Sequence, residues 1–106
     1  MNIIVKRIPF QELKQRALDV HNEYYESRAE KAGNFHLELK MEDVPDDILD
    51  EWMIALIQDE MIIVDGAECI NDEVKVEVLK EIRNVYPELN AEINRHISVF
   101  ESRKMK

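Results

Sequence analysis

The chain has 106 residues, 45% of them hydrophobic and 35% charged, with a formal net charge of −9 at pH 7. That length and balance fit one folded domain with one core, neither disordered nor membrane-spanning, and the longest apolar run, 52–57, is far short of the roughly 20 residues a bilayer requires. A single cysteine, Cys69, excludes an internal disulfide and fits a reducing cytosol, while the opening MNIIVKR lacks the charge order and cleavage site of a signal peptide.

In chain order, the branched residues of 2–8 predict a strand. Pro9 suits the first turn of a helix, and Phe10, Leu13, Ala17, Val20, His21 and Tyr24 then recur on one helical face. This helix is expected over 10–32, stopped by Gly33-Asn34. Phe35, Leu37, Leu39 and Met41 alternate with His36, Glu38 and Lys40, which predicts a strand over 35–41. Asp43 or Asp46 caps the next helix, expected over 45–60 with Pro45 in its first turn.

Residues 61–64 form a short apolar strand followed by Asp65-Gly66, a preferred hairpin turn. The segment 67–70 is a candidate return strand of poor strand-forming composition. Asn71 reads as an N-cap for a helix over 71–86. Within it 74–79 also alternates like a strand, but the cap and the following Lys-Glu-Ile-Arg favour helix. Pro87 breaks this helix and opens a last one over 87–102, with Leu89, Ile93, His96 or Ile97, and Phe100 as its stripe. The expected fold class is α+β, a small single domain of three or four short strands packed with four helices.

Most familiar catalytic signatures are absent. Gly33 and Gly66 are the two glycines, so neither a P-loop nor a dinucleotide fingerprint can form. The sequence holds no GxSxG elbow, HExxH or CxxC. His21 and His96 lie on or beside apolar stripes and read as packed histidines, and His36 as a surface contact. Cys69 among acids is a poor nucleophile, because negative neighbours raise a thiol's pKa. Trp52 reads as core, and of Tyr24 and Tyr25 one is expected to be exposed, since helix neighbours point about 100° apart. No cofactor and no metal is expected: the acids around Asp46 and Asp65 lack the spacing of a calcium loop.

Charge is the informative feature. Residues 38–73 hold thirteen Asp/Glu and one Lys, whereas both flanks are mildly basic. Helix capping and solubility account for part of this. Carboxylates on a helix face also repeat every roughly 5–6 Å, a scale close to that of phosphates along a nucleic-acid strand. The partner-binding residues expected on this basis are Asp43, Asp46, Asp47, Asp50, Glu51, Asp59 and Glu60, with Ile54 as an apolar residue on the acidic face.

The expected function is therefore a non-enzymatic, cytoplasmic, acidic protein-binding protein. It would act as an inhibitor or adaptor, even a nucleic-acid mimic, docking on a basic surface such as the cleft of a nucleic-acid-handling enzyme. Direct nucleic-acid and membrane binding are not expected. Small acidic inhibitors carried by phages, and immunity proteins that block toxic nucleases, are similar in size and charge, a likeness of type without shared motifs. The alternative is a self-assembling, homodimeric protein whose acidic surface is only solvated, joined through Ile54 or a strand edge.

Overall fold

A computed structural model describes residues 2–33, 38–66 and 71–104. These form, in order, β1 (Asn2–Val5), α1 (Phe10–Lys31), a 3-10 turn (Met41–Asp43), α2 (Asp46–Glu60), β2 (Ile62–Asp65), α3 (Asp72–Val85), a second 3-10 turn (Pro87–Leu89) and α4 (Asn90–Lys104). The described residues are thus mostly helical, with four helices and one two-stranded sheet. They group into two compact units, Met1–Arg7 with Ile54–Lys106, and Ile8–Met53.

In the first unit β1 pairs antiparallel with β2, Ile3 opposite Val64 and Ile4 opposite Ile63. The ladder ends at Val5, short of the expected 2–8. Lys6 still donates its N–H to the Met61 carbonyl at 2.8 Å, but the Lys6 carbonyl accepts from the Tyr86 hydroxyl at 2.7 Å. The chain is thereby turned out of the sheet. Arg7 beyond it donates two hydrogen bonds to Glu88, at 3.0 and 2.8 Å, and a third to the Val85 carbonyl. Its guanidinium lies 4.6 Å from the centre of the Tyr86 ring. Tyr86 is fully buried, so the N-terminal strand is fastened to the end of α3 across some 80 residues of sequence.

The ambiguity over 74–79 resolves as helix. Asn71 accepts the Val74 N–H at 3.0 Å, the N-cap expected from sequence. Val76, Val78, Leu79 and Ile82 are buried, and α3 packs against β1 and α4. Leu89, Ile93 and Ile97 bury the matching stripe of the last helix. Gly66, at φ +86°, occupies the positive-φ position expected after Asp65. The candidate strand at 67–70, with Cys69, lies outside the described residues.

In the second unit α1 begins after Pro9 and ends at Gly33, whose φ of +72° supplies the left-handed residue that terminates a helix. The strand expected at 35–41 is corrected over its described part. Residues 38–40 carry no regular structure, and Met41 starts the 3-10 turn; residues 35–37, including His36, lie outside the described residues. The cause is a side chain acting as a strand partner. Asn22 of α1 donates to the Leu39 carbonyl at 2.9 Å and accepts the Leu39 N–H at 3.0 Å. Asp43 then accepts the Lys40 N–H at 3.1 Å. With those backbone groups satisfied, the segment needs no ladder.

Candidate functional site

The acidic residues singled out from sequence divide between the two units. Asp43 closes the 3-10 turn, Val44 is buried, and Pro45 receives the Leu49 N–H on its carbonyl at 3.0 Å, launching α2. Asp46 and Asp47 occupy the first helical turn, where backbone N–H groups favour negative charge. At about 100° per residue, Asp46, Asp50, Asp47 and Glu51 fall within an arc of roughly 140°. Asp43, Asp46, Asp47 and Glu51 are exposed and Asp50 is half-buried. These five residues belong to the unit Ile8–Met53. Asp59 and Glu60 are exposed at the C-terminal end of α2 and belong to the other unit.

Ile54 is a correction. It is 3% exposed and is no surface residue. The buried arc of α2 is wider than an ordinary apolar stripe: with Leu49, Met53, Leu56 and Ile57 also buried and Trp52 half-buried, it spans roughly 200°. Ile54 marks one edge of this arc: it shares the angular sector of Asp50 and Asp47 but lies one to two turns further along α2, where that sector is buried.

A second group of acids was passed over in the sequence reading. Asp19, Glu23 and Glu26 follow one another at i, i+4 and i+7 on α1, so they share a face. With Asn22 and Glu38 they line a cleft of about 220 Å³. An adjoining cleft of about 340 Å³ shares Asp19, Asn22 and Glu38 and continues past Leu39 to Met41. The helical spacing was legible in the sequence. The arrival of Glu38 opposite it was not, because it depends on the Asn22–Leu39 hydrogen bonds.

The same unit carries an ordered row of rings. Trp52 stacks on His21 with centroids 3.7 Å apart and planes 15° apart. His21 meets Tyr25 at 4.5 Å, and Tyr25 meets Tyr24 edge-on at 5.3 Å. Arg28 donates to the Tyr24 hydroxyl at 3.0 Å. Both tyrosines are exposed, where one was expected to be.

In the other unit, Glu88 and Glu92 are engaged in ion pairs. Arg7 binds Glu88 and holds its carboxyl below the ordinary range. Arg95 hydrogen-bonds the buried Glu92 and lowers its pKa; burial opposes this, and the charges of Arg95 and His96 reinforce it. Taken over the sequence, Ile8–Met53 holds twelve acids and five bases, a net of −7, so this unit carries most of the chain's −9.

Comparison with protein-family models, with curated proteins and with solved structures finds no match for this chain. No helix among the described residues is long and apolar enough to cross a membrane.

Proposed function

We propose that the protein is a non-enzymatic binding protein, an inhibitor or adaptor that uses its acidic unit against a basic surface of a partner protein. The observation that carries this reading is the concentration of charge: a net of −7 on residues 8–53. Asp46, Asp47, Asp50 and Glu51 lie in the first two turns of α2 and Asp43 in the 3-10 turn before it, more carboxylates than a helix cap uses. Such a field speeds encounter with a Lys/Arg-lined cleft and orients it. A cleft built for nucleic acid is the partner class whose charge and spacing fit best.

A tagged pull-down from lysate at low and moderate salt tests the reading, run beside the variant Asp46→Asn, Asp47→Asn, Asp50→Asn, Glu51→Gln. A basic protein retained by the parent and lost by the variant is the expected result. Identical retention by both forms would reduce the charge to solvation.

The self-assembly reading keeps one specific observation. Ile4 and Ile63 face each other across the sheet at 59% and 62% exposure, an apolar pair on an open face. A mass that rises with protein concentration and falls back in Ile63→Lys would favour it.

A further inference from the structure

The two strands of the sheet divide their residues by side. Successive residues of a strand point to opposite sides, and directly opposite residues of an antiparallel pair point to the same one. Ile3 and Val5 of β1, with Ile62 and Val64 of β2, are half-buried and form the inner side. Asn2, Ile4, Ile63 and Asp65 form the outer side, and all four are exposed. The Lys6 N–H still bonds the Met61 carbonyl, so the alternation runs on to Lys6, which is exposed on the side of Ile4.

The outer side therefore carries an ordered pattern. Ile4 and Ile63, 59% and 62% exposed, sit opposite each other at its centre. Lys6 lies about 7 Å along the strand toward one end, and Asp65 about 7 Å toward the other. Among the described residues neither the Lys6 ammonium nor the Asp65 carboxylate has an ion-pair partner. A surface that is positive at one end, apolar at its centre and negative at the other is its own complement. A two-fold axis in the plane of the sheet, crossing the strands at the isoleucine pair, lays a second copy face to face with its strands reversed. The isoleucines of one copy then cover those of the other, and Lys6 of each arrives at the Asp65 end of the other.

We propose that the outer side of the sheet is an isologous dimer contact. Ile4 and Ile63 pack against the same residues of a second copy, and Lys6 pairs with Asp65 across the two-fold axis. The inference rests on the self-assembly reading above and names its contact. Charge chooses the occupant: the Lys6 and Asp65 that flank the isoleucines on this side fit a second copy of this chain in one orientation. All four residues belong to the unit of Met1–Arg7 with Ile54–Lys106, whose net charge over the sequence is −2, so the strongly acidic unit supplies none of these contacts. The apolar centre is small beside the surface a permanent dimer buries, so association is weak and concentration-dependent.

Sedimentation equilibrium of the full chain over a wide concentration range tests this, with circular dichroism confirming that each variant folds. The mass of the parent should rise from one chain toward two, and Ile63→Lys should stay at one. Lys6→Glu and Asp65→Lys, each alone, should weaken association about tenfold, because two attractive contacts per dimer become repulsive. An equimolar mixture of these two variants restores opposite charges at both ends of the contact and should recover the parental mass. A dimer that survives Ile63→Lys, or single charge variants that associate as the parent does, would overturn this contact while leaving self-assembly through another surface. Variants that weaken association without recovery in the mixture would overturn the two-fold arrangement. A parent that stays at one chain throughout would overturn both the inference and the self-assembly reading, and loss of a captured partner protein in Ile63→Lys would then assign the face to that protein.

Discussion

The imidazole of His21 lies face to face with the indole of Trp52, their centroids 3.7 Å apart. One residue comes from the middle of α1 and the other from the first half of α2, so this stack ties two helices of the acidic unit together. His21→Ala removes the stacked ring, and Trp52 emission should then shift in position or intensity while the circular dichroism stays unchanged. An unchanged emission spectrum would mean that the stack does not form in solution.

Asn22 substitutes for a missing strand. Asn22→Ala removes both hydrogen bonds to Leu39, and two bonds at a partly buried site should cost about 1–3 kcal/mol of stability in urea unfolding. Hydrogen exchange is the sharper readout: the Leu39 amide should lose protection while amides of α3 keep theirs.

Tyr86 fastens the N-terminal strand to the C-terminal half. Tyr86→Phe keeps the buried ring and removes only the bond to the Lys6 carbonyl, an expected loss of about 1 kcal/mol. Tyr86→Ala empties a fully buried site and should cost about 3–5 kcal/mol. Equal effects from the two substitutions would show that the hydroxyl, not the packing, carries the contribution.

Glu92 makes stability depend on acid. Its folded pKa lies below the ordinary value of 4.5 because Arg95 hydrogen-bonds the carboxylate. As pH falls, the unfolded chain therefore binds this proton first. The stabilisation is complete above the unfolded pKa and is lost as pH drops through the folded one. The gap in urea midpoint between the parent and Glu92→Gln should be widest above about pH 6 and narrow toward pH 3. A gap that stays constant with pH would assign Glu92 a packing role alone.

The helices were legible because their punctuation is local. Pro9, Gly33, Pro45, Asn71 and Pro87 mark starts and stops, and the helix boundaries fall within two residues of those signals, except that Pro87 opens a 3-10 turn and α4 begins only at Asn90, three residues on, rather than at 87 as expected. What local pattern could not show were decisions made at long range. The alternation from Leu37 to Met41 has a strand's period, yet Asn22, seventeen residues away, takes the backbone of Leu39. Tyr86 likewise shortens the first strand from 80 residues away. Ile54 was misplaced because a standard apolar arc was assumed where α2 buries a wider one. Of the acidic site, the cluster at the start of α2 could be read from sequence, and so could the carboxylate spacing on α1. The cleft that Glu38 completes and the ring series from Trp52 to Tyr24 exist only once the chain is folded.

The central claim is that carboxylates of the acidic unit recognise a partner. Its most direct test is calorimetric titration of the basic protein captured by the parent, at low and moderate salt, into the parent and into the Asn/Gln variant of Asp46, Asp47, Asp50 and Glu51. The account predicts affinity that weakens with salt and falls about tenfold in the variant, the sum of four modest charge contacts. Affinity unchanged by both salt and substitution would contradict it.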